Sequence, residues 1–409
     1  MSDTLQLGEA ATPPVPAEKP RHKARLALLK RLADVVSLPS SRVNAFERSV
    51  TADLLVEILR DAEFDERARV ARRLASLVEI PNCLVRLILR DELDIAHSLL
   101  ADSTALSDAD LIDCIRHATG AHRRLIAQRR GVSEVVAEAL VEVGETLVVE
   151  ALLRNDQARL SPPSIEMIVA MTQQQSQLAP MLLRRPELRP NHAYVMFWWC
   201  DADARRAILQ RFAVSREVLQ EAAGDVFPMA AAEGWQDGLT RKALQFIERR
   251  QRNRAAIDKS PFQNLDDAIA AAEAGMTREI AEEIAYLAGV KPMTGAKIMT
   301  DVGGEALAVL CKATGLPRNA LRQLWRGLRR PETTSDGEPA PAMARTLEVF
   351  DMIAVDRAQT VLRYWNWSLS SAMTPELMKA IREADDAALD EFSVPQRAAM
   401  LAFGADLKR

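Results

Sequence analysis

Seven times between residues 50 and 216 an apolar residue is followed by a small polar residue, Pro or Arg. The pairs are Val50-Thr51, Ile80-Pro81, Leu106-Ser107, Val132-Ser133, Leu160-Ser161, Leu188-Arg189 (then Pro190) and Val214-Ser215. Taken at the second residue of each pair, the spacings are 30, 26, 26, 28, 28 and 26. Apolar or small residues then recur at +4, +7 and +8, as in Leu111/Cys114/Ile115, Ala137/Leu140/Val141 and Ile165/Ile168/Val169. That spacing is one stripe of an α-helix, and Ser or Thr at position zero predicts its N-cap. A second apolar pair near −7 and −8, such as Leu99/Leu100 or Leu125/Ile126, predicts a shorter helix before each cap. Neither helix buries its stripe alone, so neighbouring copies must stack. The period is shorter than the roughly 40–47 residues of HEAT and armadillo units. The expected fold is all-α, an α-solenoid of short HEAT-like hairpins followed by a helical C-terminal domain.

Composition agrees with helices and narrows function. Of 409 residues 48% are hydrophobic and only 5% aromatic, with 16 Gly and 20 Pro. This favours helix over sheet and excludes collagen-like or low-complexity chains. No run approaches the roughly 18 apolar residues of a membrane span. The net charge of −4 argues against a protein built to coat polyanions, so nucleic-acid contact would need a local basic patch. The four cysteines, Cys83, Cys114, Cys200 and Cys311, are too far apart in sequence for a redox pair, and no secretory hydrophobic region follows Met1. A cytoplasmic protein is expected.

The run Asp110–Ile115, continuing through His122–Arg129, Val132-Ser133 to Leu140, Val148–Leu153 and Leu160-Ser161, resembles a bacterial family catalogued as domain of unknown function 2336. Stretches 308–328 and 350–367 are similar to that family's C-terminal portion. The resemblance covers most of residues 45–370. It implies a HEAT-like helical repeat protein typical of alphaproteobacteria and brings no activity, ligand or catalytic residue.

Five segments are expected: a disordered tail over 1–20, the repeat array over 21–225, a helical domain over 226–330, a linker over 331–341, and C-terminal helices over 342–409 that pack on the preceding domain. The tail is Pro-rich and lacks an apolar period. Residues 21–32 form a basic amphipathic segment, read as a capping helix with weak membrane-surface contact as its alternative. Residues 331–341 (Pro-Glu-Thr-Thr-Ser-Asp-Gly-Glu-Pro-Ala-Pro) carry the linker composition. Thr374-Pro375 predicts a further helix start.

Candidate sites come from the repeat register. Position +9 turns away from the core and reads Arg60, Arg90, Arg116, Glu142, Ala170 and Trp198, a basic edge followed by a Trp. Trp and Arg are the residues of partner anchors, although Trp198 also suits packing against the following domain. A second row at −4 contributes Arg129, Arg185 and Arg211, with solvated inter-helix turns as the plainer reading. Residues 306–330 match a loose helix-turn-helix skeleton with Arg318, Arg322, Arg326 and Arg329 on one face, the alternative polyanion-binding surface. Trp365 and Trp367, two residues apart, cannot both face one core. No catalytic residue, cofactor motif or metal site is predicted: Cys114, His117 and His122 lack a fourth ligand at a sensible interval, and Thr294-Gly295-Ala296-Lys297 lacks the P-loop spacing. The expected function is a non-enzymatic adaptor or scaffold binding a protein partner, with a nucleic-acid-associated regulator as the alternative.

Overall fold

A computed structural model describes residues 18–39, 41–222 and 257–371. Among these the chain is α-helical, with no strand beyond one β-bridge between Thr333 and Pro339. The fold is all-α and repetitive. The packing divides it into two compact units, the first ending at Arg159 and the second beginning at Leu160.

The first unit contains α1 (Glu18–Val36), α2 (Ala45–Arg60), α3 (Phe64–Ala75), α4 (Asn82–Leu89), α5 (Leu93–Asp102), α6 (Asp108–His117), α7 (Gly120–Ala127), α8 (Glu134–Glu142) and α9 (Thr146–Arg154). Helices α2, α4, α6 and α8 stack in one layer, α3, α5, α7 and α9 in a second, and α1 packs on α2 and α3. The stripe found in the sequence faces between the layers. Val85, Ile88, Leu89, Leu111, Cys114, Ile115, Ala137, Leu140 and Val141 are all buried, and full burial of one such aliphatic side chain contributes about 1.5–3 kcal/mol. Ser107 and Ser133 accept backbone N–H groups of their helices, as their register positions require. Thr51 does not. The cap of α2 is Asn44, which exchanges hydrogen bonds with Glu47, and Thr51 lies inside the helix with its hydroxyl on the Glu47 carbonyl. The helix therefore begins two turns earlier than the repeat rule places it. At the N-terminus α1 starts at Glu18, inside the expected tail; residues 1–17 lie outside the described residues.

The second unit contains α10 (Pro162–Met171), a 3₁₀ turn leading into α11 (Ala179–Leu182), α12 (Pro190–Met196), α13 (Ala202–Arg211) and α14 (Arg216–Ala222), then α15 (Leu265–Ala274), α16 (Arg278–Leu287), α17 (Pro292–Thr300), α18 (Glu305–Thr314), α19 (Arg318–Gly327), α20 (Pro341–Met352) and α21 (Val355–Asn366). Its centre is α18, in which every residue from Glu305 to Cys311 is buried. Helices α20 and α21 pack on α18, while α12 and α14 pack on α21 and α13 on α20. The repeat helices after residue 160 thus share a body with the C-terminal helices, and the boundary falls inside the expected array of 21–225 rather than at its end.

Two glycines fix this architecture. Gly315 takes the left-handed conformation (φ 79°) that closes α18, with Leu316 N–H returning to the Cys311 carbonyl. Gly327 lies where α19 crosses α15, and a Cβ there would collide with the Ala272 carbonyl oxygen. Residues 331–341, expected as a linker, instead close into a tight reverse turn: Thr334 N–H donates to the Glu338 carbonyl and Ala340 N–H to the Glu332 carbonyl. The Pro and Gly content that reads as linker also suits a turn. The helix start expected at Thr374, like residues 223–256 and 372–409 generally, lies outside the described residues.

Candidate functional site

The two Trp residues singled out by sequence belong to a core. Trp198 is only 8% exposed; its ring lies 4.8 Å from that of Trp365 and 5.4 Å from that of Phe197. The expected exposed anchor is corrected accordingly: the register points Trp198 away from its own hairpin and into the aromatic cluster with α21. Trp365 is fully buried, donates its indole N–H to the Tyr194 carbonyl at 3.0 Å, and leaves Trp367 half-buried beyond it.

The −4 row is also structural. Arg129 reaches back one repeat to the carbonyls of Leu99, Leu100 and Ser103, the last at 2.8 Å. Asn155 does the same to Ala127 and Arg129 (2.9 and 2.6 Å). Arg211 reaches Leu183 and Arg185 in the second unit. These groups satisfy carbonyls that helix ends leave without partners. Burial pushes the pKa of Arg129 down from its ordinary value. Arg185 is buried, and its guanidinium grips the Glu187 carboxylate at 3.1 and 2.7 Å. None of the three side chains lies free on a solvated turn.

The +9 row remains at the surface. Arg60 pairs with Glu57 on its own helix at 2.9 Å, and Arg90 bridges to Asp113 at 2.9 and 3.2 Å. Asp113, beside Arg90, is held below the usual carboxylate range. Arg116 is exposed and meets no carboxylate among the described residues. Exposed pairs of this kind contribute roughly 0–1 kcal/mol, so the edge is a surface of partly compensated charge.

The helix-turn-helix segment forms a hairpin, α18 and α19, but its arginines part company. Arg329 takes a left-handed conformation (φ 56°) beyond the end of α19 and leaves the helical face. Arg326 pairs with Glu273 at 2.8 Å and approaches Glu332 at 3.6 Å. Arg318 and Arg322 line a groove of about 790 Å³ with the reverse turn and α20. Its apolar surface comes from Met343, Leu347, Met352 and Pro339, its acids from Glu332, Glu348 and Asp351. Arg318 meets Asp351 at 3.4 Å and Glu348 pairs with Arg206, while Arg322 is exposed and without an acidic partner among the described residues. Sequence reasoning found the arginine wall and missed the opposite one. Met343 and Leu347 are one helical turn apart and visible as an apolar stripe, but their position across from Arg318 depends on the turn at 331–341.

Chemistry beyond binding finds little support in the thiols. Burial raises Cys114 to about 11 and both Cys200 and Cys311 to about 12, so at neutral pH all three are protonated and poor nucleophiles. His122 is buried, with one ring nitrogen 2.8 Å from the Thr119 hydroxyl and the other 3.2 Å from the Asp91 carbonyl. No three His, Cys, Asp or Glu side chains among the described residues form a metal-binding group, and none of the described helices is long and apolar enough to cross a membrane.

A family model described as an uncharacterised protein conserved in bacteria (DUF2336) matches residues 95–363, well over half of the chain. No curated protein and no solved structure matches.

Proposed function

The chain belongs to the DUF2336 family of uncharacterised bacterial proteins, and from that premise we propose that it is a non-enzymatic adaptor whose helical repeats form a short α-solenoid and whose α19–α20 groove receives a segment of a protein partner. The observation that carries the proposal is the groove itself. Half-buried Met352 and exposed Ala344 offer apolar contact between the uncompensated Arg322 and the acids of α20, while Met343 and Leu347 in the same lining are largely buried. Thioether side chains adapt to varied apolar partners. An amphipathic helix with an apolar stripe and an acid placed toward Arg322 suits such a trough. The four unpaired cysteines favour a reducing compartment, and we place the adaptor in the cytoplasm.

Affinity capture from the native host tests this, comparing the unaltered chain with Ala344→Trp and with Arg322→Glu. Ala344 is an exposed groove residue, so a Trp there fills the trough at little cost to the core. The expected result is a partner lost from both variants at unchanged helicity; a partner retained by both overturns the groove assignment. The second reading, DNA contact through residues 306–330, has the exposed Arg318, Arg322 and Arg329 in its favour. Against it stand Glu273, Glu332 and Asp351 beside that ridge. Phosphate-driven binding weakens steeply with salt, and a gel shift with random duplex DNA at low salt that shows no complex eliminates it.

A further inference from the structure

Two pairs of adjacent arginines flank the end of α7, Arg123-Arg124 and Arg129-Arg130. The fold engages one of each. Arg123 pairs with Glu145 and donates to the Ile115 carbonyl at 2.7 Å, and Arg129 holds the carbonyls that close α5. Arg124 and Arg130 are exposed, and their guanidinium groups meet no partner among the described residues. Both line an open depression of about 470 Å³ that α7 shares with α9, together with Arg154, Ala151, Gln128 and Gln157. Leu147, 64% exposed, belongs to the same lining. Glu150 is held by Arg154 one turn away at 3.2 Å, which leaves Asp156 as the acid opposed to the two uncompensated arginines.

We propose that this depression binds an acidic protein segment, with carboxylates of the segment on Arg124 and Arg130 and an aliphatic side chain between them on Leu147. Charge complementarity selects the class. Arginine forks match carboxylates bidentately, and Gln128 and Gln157 supply side-chain amides of the kind an extended main chain uses. A nucleic acid fits less well. The apolar contact is a leucine rather than an aromatic platform for bases. The site lies in the first unit and stands on observations independent of the α19–α20 groove.

Fluorescence anisotropy on the full chain at low ionic strength tests it, with the labelled peptide Glu-Glu-Leu-Glu-Glu as probe. Saturable binding is expected, weakened about fivefold to tenfold in Arg124→Ala plus Arg130→Ala and several-fold in Leu147→Ser. Replacing the glutamates of the probe by glutamine should abolish most of the binding. The proposal is overturned by absence of saturable binding, by equal affinity in the double variant, or by equal binding of the glutamine probe. It is likewise overturned if a duplex oligonucleotide binds more tightly than the peptide with the same arginine dependence. Sedimentation velocity covers the remaining occupant: a dimer that the double variant dissolves would identify a second copy of the chain instead. Both arginines are exposed and unengaged, so the variants fold and every outcome decides.

Discussion

In the first unit the side chains that tie helices together reach back about one repeat: Arg129 finds its carbonyls 26 to 30 residues away. In the second unit Arg211 keeps one tie of that kind, to Leu183 and Arg185, but further ties cross the sequence. Arg205 pairs with Asp301 at 2.8 Å and Glu305 at 3.1 Å, 96 and 100 residues on, and Trp365 bonds to Tyr194 across 171 residues. Local ties give a body whose repeats each depend on their neighbours alone, whereas long-range ties make one cooperative core around α18. The difference also sorts the arginines. Where a guanidinium is buried among carbonyls or carboxylates it holds the fold; where it stands exposed and unmatched, as Arg124, Arg130 and Arg322 do, it is available to a partner.

The comparison can be broken in order of expected effect. Trp365→Ala removes the centre of the aromatic cluster and should cost about 3–5 kcal/mol in urea unfolding. Hydrogen exchange should show protection lost across α18 and α21 but kept in α6 and α8. Loss in both sets would refute the division into separate cooperative bodies. Arg205→Ala leaves Asp301 and Glu305, both almost fully buried, short of their shared cation, and should cost about 3 kcal/mol. If it costs less than about 1, Arg345, 3.8 Å from Glu305, suffices for the network. Arg129→Ala takes the guanidinium from the Leu100 and Ser103 carbonyls at the end of α5 and should cost about 1–2 kcal/mol, with faster exchange confined to α5, α7 and their immediate neighbours. Ser133→Ala removes one N-cap for about 1 kcal/mol. The double change Arg124→Ala plus Arg130→Ala should fall within about 0.5 kcal/mol of the unaltered chain; a larger loss would mean that these arginines serve the fold.

Much of the first unit was legible because its rule is local. A stripe at +4, +7 and +8 and a Ser at position zero specify a helix, its buried face and its cap from residues within two turns, and Leu140, Cys114 and Ser133 stand where that rule puts them. Failures came where a register was right and its neighbour unknown. Trp198 does point away from its own hairpin, but α21 lies there, so an expected surface anchor is a core residue. Arg129 and Arg211 sit in the turns expected of them, yet period spacing alone does not say that a side chain will reach the preceding turn's carbonyls. Arg124 and Arg130 were missed although a signal existed. Arg123 and Arg124, adjacent on a short helix, cannot face the same neighbour, since successive residues turn about 100°.

By itself the sequence determined an all-α repeat, its helix stripes and the caps at Ser107, Ser133 and Ser161, because helix periodicity and capping act within a few residues. Only the tertiary structure decided where the chain divides, which arginines are engaged, and that Met343 and Leu347 face Arg318. Those facts depend on which helices meet across a hundred residues or more, and no local pattern encodes a partner at that distance.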